Sequence, residues 1–297
     1  MTSGPGELPD VVIGLHAITL LAAGPESSVP RGDDDEVLAA VRREEFRVVQ
    51  QFREWPSREA AERHDLGIVG SARITEPDDA DAAVGRWSDD GCCAGIVHLG
   101  DAIDDDARAD QYCRAVIEAQ HRHDLAVAVE THRATITQDL WRTVRLAQRH
   151  PELRFNLDFS HWYVAGELTY GDYDERIRFV DPVFDRTDML HARVADPGCI
   201  QTPLTRDDDR SFVDHFRSVW TTVIDRFRRR EQHPQPFLAI VELVPSIAHY
   251  ARTQLGQPAR ELVDRWDQAL ITRDLVAECV MPTRNTQTIH ITQEERP

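Results

Sequence analysis

The sequence predicts a single-domain α/β chain closed as a (β/α)8 TIM barrel. Eight short apolar runs rich in Val, Ile, Leu or Phe alternate with longer amphipathic patterns. No GxGxxG opens any strand-to-helix junction, which sets the chain apart from the doubly wound open sheet that the same alternation also allows. No Pro/Gly/Ser-rich linker divides the 297 residues, a length that accommodates a barrel of about 250 residues.

The strands are expected at 11–18, 46–52, 67–74, 94–100, 126–132, 154–160, 190–195 and 237–244. Continuous apolar character suits parallel strands covered on both faces. The segment 33–43 starts acidic and ends basic, matching the helix dipole. Further helices are expected at 107–123, at 138–150 with Leu140, Trp141, Val144 and Leu146 at helical spacing, at 211–230 and at 259–280. The acidic runs 33–36, 104–106 and 207–209 precede helical patterns and read as N-caps and solvated helix starts. The barrel is expected over 1–282. The polar tail 283–297 follows it, with a small extra strand at 288–292.

Composition excludes several chemistries. All 34 basic side chains are Arg, so neither a Lys Schiff base nor a GxxxxGK[ST] phosphate loop is available. A formal charge of −18 speaks against nucleic acid and anionic membranes as partners. Five cysteines without a CxxC pair point to reduced thiols in the cytoplasm. The apolar run 11–23 follows Glu7 and Asp10 and is too short for a membrane span.

Function in such a barrel sits where the strands end. Four successive strands end in ionisable residues: VETHR at 129–133, LDFSHW at 157–162, HAR at 191–193 and VEL at 241–243. Charges inside apolar strands are costly unless paired or bound to metal. Glu130, Asp158, His191 and Glu242 together supply three carboxylates and an imidazole, a donor set for Mn2+, Mg2+, Co2+ or Zn2+. Two-residue periodicity carries His132 and Arg193 toward the same mouth. His98, Arg133 and Trp162, at or just past their strand ends, are further candidates to line it.

The ordered segments VAVETHR, LDFSHW, LHARVADP and AIVELVP resemble the xylose-isomerase-like TIM barrels. That superfamily contains sugar isomerases, epimerases and dehydratases, and also endonuclease IV. The shared pattern is Glu ending strand five, Asp-x-x-His on strand six, His on strand seven and Glu ending strand eight, over residues 11–280. The resemblance implies that Glu130, Asp158, His191 and Glu242 hold one divalent ion, with Mn2+ foremost. It implies that His161 contacts a substrate hydroxyl and that Arg193 orients the substrate. Endonuclease IV members carry more His ligands and a basic DNA groove, and this chain lacks the groove charge.

The expected activity is a metal-dependent isomerase or epimerase of a keto sugar or related polyhydroxylated carbonyl compound. Glu130 and Glu242 would exchange the proton through a metal-stabilised enediolate. The alternatives are a dehydratase or lyase acting by β-elimination on a keto sugar or keto-inositol, and a non-catalytic metal-binding barrel. The partner expected is a small molecule, with His98, His132, Trp162 and Arg193 as its contacts; pairing as a homodimer is common in such barrels.

Overall fold

The computed structural model describes residues 11–281 apart from 22, 23, 25 and 231–234, with backbone alone at 258 and 259. The tail at 283–297 and its expected strand lie outside the described residues. Eight parallel strands close a barrel: β1 (Val11–His16), β2 (Val48–Gln50), β3 (Gly67–Ile74), β4 (Ala94–Leu99), β5 (Val127–Glu130), β6 (Arg154–Leu157), β7 (Thr187–Ala192) and β8 (Phe237–Val241). Each pairs with its sequence neighbour, and β8 closes on β1 from Val11↔Phe237 to Leu15↔Val241. The helices are α1 (Asp34–Arg43), α2 (Arg58–Arg63), α3 (Asp79–Asp89), α4 (Asp106–His123), α5 (Leu140–Arg149), α6 (Phe159–Ala165), α7 (Tyr173–Phe179), α8 (Asp181–Phe184), α9 (Ser211–Arg228) and α10 (Arg265–Val280). Among the described residues no helix is long and apolar enough to cross a membrane, and the five cysteines are free.

Strand alternation splits the core in two. Val48, Val69, Ala94, Ile96, Ala128, Met189, Leu238 and Ile240 fill the barrel interior. Their neighbours in sequence, such as Val49, Ile68, Val97, Val129 and Leu190, turn outward into the layer between barrel and helices. Continuing the inward set by two residues reaches Gln50, His98, Glu130 and Glu242 at the C-terminal ends. The same two-residue step that packs the barrel therefore assembles its mouth.

One close approach is built on glycine. Gly70 and Gly95 are register partners on β3 and β4, and the Trp87 indole of α3 lies flat across both. A Cβ at either position would come within 2.4 Å of that ring. Gly95→Ala is expected to lower stability by about 1–3 kcal/mol through overpacking, measured as a fall in thermal and urea midpoints. A variant as stable as the parent would contradict this packing.

Several boundaries differ from the sequence expectation, each for a local reason. The strand expected at 154–160 stops at Leu157, because the Asp158 carboxylate accepts the Ser160 N–H at 3.0 Å and starts α6. The strand expected at 190–195 runs from Thr187 instead, and its buried polar start is covered by the pairing of Asp188 with Arg230 at 2.5 Å. The helix expected from 259 begins at Arg265, since β10 (Gln257–Glu261) pairs antiparallel with β9 (Thr253–Gln254). Asp33 and Asp105 cap α1 and α4 as expected. The third acidic run caps nothing: Arg210 precedes α9 without a side-chain bond, and Asp208 accepts the Thr205 N–H and pairs with Arg210.

Candidate metal centre

Each group at the mouth is held from behind. After β5 the chain folds back so that Thr137 donates its hydroxyl to the Glu130 carbonyl at 2.6 Å. Thr131 donates to the Asp158 carbonyl at 3.0 Å, tying β5 to β6 at the level of the two acids. Beyond β8, the Glu242 N–H reaches the Ala192 carbonyl at 3.2 Å. The next two residues are held by Thr19 and Gln201 side chains at 3.0 and 2.8 Å. Loops this well pinned place side chains almost as firmly as strands do.

The four expected ligands converge. One ligand atom from each of Glu130, Asp158, His191 and Glu242 lies within 4.8 Å of the other three, and all four residues are buried. His191 Nδ1 is 3.3 Å from Glu130 Oε2 and 3.4 Å from Glu242 Oε2. That is ion-pair range, yet the atom is in hydrogen-bond geometry with neither. Its other nitrogen, Nε2, is engaged by Gln50 Oε1 at 2.7 Å. Gln50 thus fixes the ring with Nδ1 aimed into the gap between two carboxylates, the orientation a metal-ligating histidine takes from its outer partner. The donor set fits a divalent cation on this ground.

Around the cluster stands a ring of cations and imidazoles. Arg193, 1% exposed, pairs with Asp158, reaches Glu242 Oε2 at 3.1 Å and donates to Ser160 Oγ at 3.1 Å. His98 Nε2 is 2.9 Å from Glu130 Oε2. His161 Nε2 lies 3.6 Å from Asp158 and 4.0 Å from Glu130. His16 Nε2 is 3.6 Å from Glu242 Oε1.

Burial opposes charge throughout, and the partners decide the outcome. At Glu130 burial is outweighed by His98 and His191, which hold the carboxyl well below its usual range. At Glu242 it is outweighed by His191 and Arg193, again downward. Burial would lower His191, but Glu130 and Glu242 carry it up to about 9. Asp158 moves the other way: burial, aided by Glu242 and Glu130, pushes it up to about 6 against the pull of Arg193. Burial takes His16 and His132 down to about 4.

Two of these imidazoles have an assignable tautomer. A backbone N–H can only donate, and those of Ile18 and Ala134 point at the Nδ1 atoms of His16 and His132, at 3.0 and 3.1 Å. Both neutral rings therefore carry their proton on Nε2 and act as donors. His98, Glu130 and His132 also approach one another closely enough for a metal. The His132 tautomer makes it a donor there rather than a ligand.

The structure gathers Glu130, Asp158, His161, His191, Arg193 and Glu242 into one cluster, with His98 and His132 beside it through ring contacts of 4.5 and 3.9 Å in the row His98–His132–His161. Trp162 is a correction. It is 1% exposed, packed in the layer outside the barrel, and its indole N–H donates to the Thr137 carbonyl at 2.9 Å. It braces the turn after β5 rather than lining the mouth. Gln50 and Asn156 were missed. Both are buried neutral amides on the inner strand faces, and both interrupt apolar strands, a signal as visible as the charges. Tyr250 was missed as well; it stands over Arg193 at 5.0 Å from a loop that has no periodic pattern.

Gln50→Leu is expected to weaken Mn2+ binding by about 10–100-fold by releasing the His191 ring, measured by calorimetric titration. Unchanged affinity would contradict the orienting role.

No protein-family model and no curated protein matches the sequence. The fold is matched by solved structures. A sugar phosphate isomerase/epimerase from Parabacteroides distasonis aligns with a TM-score of 0.58 at 10% identity, over 94% of this chain and 98% of that one. A xylose isomerase-like TIM barrel protein from Mycobacterium smegmatis in complex with magnesium aligns at 0.55 and 12% identity, over 94% and 100%. A probable 3-DHS dehydratase involved in petrobactin synthesis from Bacillus anthracis aligns at 0.54 and 15%, over 92% and 100%. At these identities the likeness is one of architecture, and the chain shares the closed (β/α)8 barrel of these structures.

Proposed function

We propose that the chain is a divalent-metal-dependent isomerase or epimerase of a keto sugar or a related polyhydroxylated carbonyl compound. The observation that carries this reading is the pair Glu130 and Glu242, facing each other across His191 Nδ1 with Asp158 completing the donor set. Neighbours of the same fold described as isomerase/epimerase proteins, and one in complex with magnesium, support it.

Glu130, Asp158, His191 and Glu242 would hold the ion, with Mn2+ the first to try; when bound it supplies Lewis-acid polarisation of a carbonyl oxygen. The chain's own residues account for the rest. Glu130 turns Oε2 toward His98 and His191 and Oε1 toward His161. Glu242 turns Oε2 toward His191 and Arg193 and Oε1 toward His16. Each carboxylate thus has an inward oxygen and a second one available to take or return a proton, from opposite sides of the mouth. Both stay ionised through their donors, as a base must. Near-complete burial of the cluster excludes water and strengthens each of these interactions.

A second reading, elimination of water from the same kind of substrate, is favoured by the row His98, His132 and His161. The His132 Nε2–H is a donor suited to a departing hydroxyl. One experiment separates the readings. Mn2+-loaded protein is incubated with a mixture of keto sugars in D2O and followed by NMR and ultraviolet absorbance. Deuterium entering at the carbon beside the carbonyl, without new absorbance, is the expected result. A growing enone band would favour elimination, and neither signal would sink both readings.

A further inference from the structure

Arg133 is an arginine of this rim that the fold rigidly displays and leaves uncommitted. It sits exposed at the apex of the turn after β5. That turn is closed by the Thr135 N–H on the His132 carbonyl at 3.1 Å, the Ala134 N–H on His132 Nδ1 at 3.1 Å and the His132 N–H on Thr137 Oγ1 at 3.0 Å. Arg73 clamps it from β3 through the Ala134 carbonyl at 3.3 Å. Two other arginines near the mouth are occupied: Arg193 by Asp158 and Glu242, Arg73 by Asp101 at 3.5 Å. Arg133 makes no ion pair or hydrogen bond among the described residues. Its guanidinium lies over the Tyr250 ring, 5.5 Å from the Cζ to the ring centre, and the same ring lies 5.0 Å from the Arg193 Cζ. Tyr250 also meets His161 edge-on at 6.3 Å.

A guanidinium stacked on an aromatic face keeps its N–H edge free, and that edge matches a carboxylate with two parallel hydrogen bonds. In a chain of net charge −18, a fixed cation beside the candidate metal centre without an acidic partner is a feature that selects for an anion. We infer that the substrate carries a carboxylate, and that Arg133, oriented by Tyr250, binds it while the reacting end of the molecule meets the Glu130–Glu242 cluster. This rests on the proposed function and narrows its substrate to a keto sugar acid or a cyclic keto acid. A phosphate ester shares the charge, but a single fork without converging backbone N–H groups suits the planar carboxylate better.

The test is calorimetric binding of three matched probes, D-gluconate, D-glucitol and D-glucitol 6-phosphate, to wild-type protein and to the Arg133→Gln and Arg133→Lys variants. Each protein is titrated with Mn2+ first, and the probes are then measured with and without the ion. The expected result is gluconate bound about 10–100-fold tighter than glucitol, the preference erased in Arg133→Gln and partly kept in Arg133→Lys. A preference that survives Arg133→Gln, no preference in the wild type, or tighter binding of the phosphate ester would overturn the inference. Failure of the metal reading registers separately, as no heat in the Mn2+ titration; the Arg133-dependent preference is then read on the metal-free protein.

Discussion

Glu130→Gln is expected to slow C–H exchange by about 10²–10⁴-fold and to weaken Mn2+ binding in the same protein. The substitution keeps shape and volume at a position 2% exposed, so the barrel has no reason to repack. What is lost is the charge. Gln cannot accept a proton from carbon, and it leaves His98 at 2.9 Å and His191 at 3.3 Å facing a neutral amide. Glu242→Gln removes the opposite carboxylate and is expected to act alike. Deuterium incorporation read by NMR, with Mn2+ affinity read by calorimetry, checks both effects. Full exchange in both variants would end the claim that these carboxylates carry the proton.

Arg193→Met has the largest expected effect on stability. The guanidinium is fully enclosed and pairs with Asp158, itself 0% exposed. Removing one partner of such a pair leaves an uncompensated buried carboxylate, at a cost of about 3–5 kcal/mol. Burial holds Asp158 up at about 6 even with Arg193 in place, and without it the Ser160 N–H and hydroxyl remain as neutral donors to the carboxylate. A cation bound at the cluster would replace part of the missing charge. The loss measured by thermal and urea unfolding is therefore expected to shrink under saturating Mn2+. A loss below about 1 kcal/mol, or one indifferent to the ion, would contradict the pairing described.

How much of this was legible before the fold was known follows from what makes each feature local or distant. Strand β3 falls on 67–74 as expected, because apolar β-branched residues there end in clear turn signals at Thr75–Pro77. The start of β7 was unreadable: Thr187 and Asp188 look like loop residues until Arg230, more than forty residues on, covers the carboxylate. Asp158 serves as strand end, helix cap and candidate ligand at once, and pattern reading extended the strand across it. The four charged residues of the cluster stood out because each interrupts an apolar run. Gln50 interrupts an apolar run as they do, but its role depends on His191, which is 141 positions away in sequence. Trp162 adjoins the Asp-x-x-His segment, but helical geometry turns it outward while His161 turns in.

In the proposed divalent-cation site, Glu130, Asp158, His191 and Glu242 would hold one ion, with the His191 Nδ1 among its ligands. The most direct test of this site is electron spin-echo spectroscopy of Mn2+ titrated into the purified protein. One bound equivalent with nitrogen modulation from a single imidazole, abolished by His191→Gln, is the predicted result. No stoichiometric binding, or a nitrogen signal that persists in His191→Gln, would contradict it.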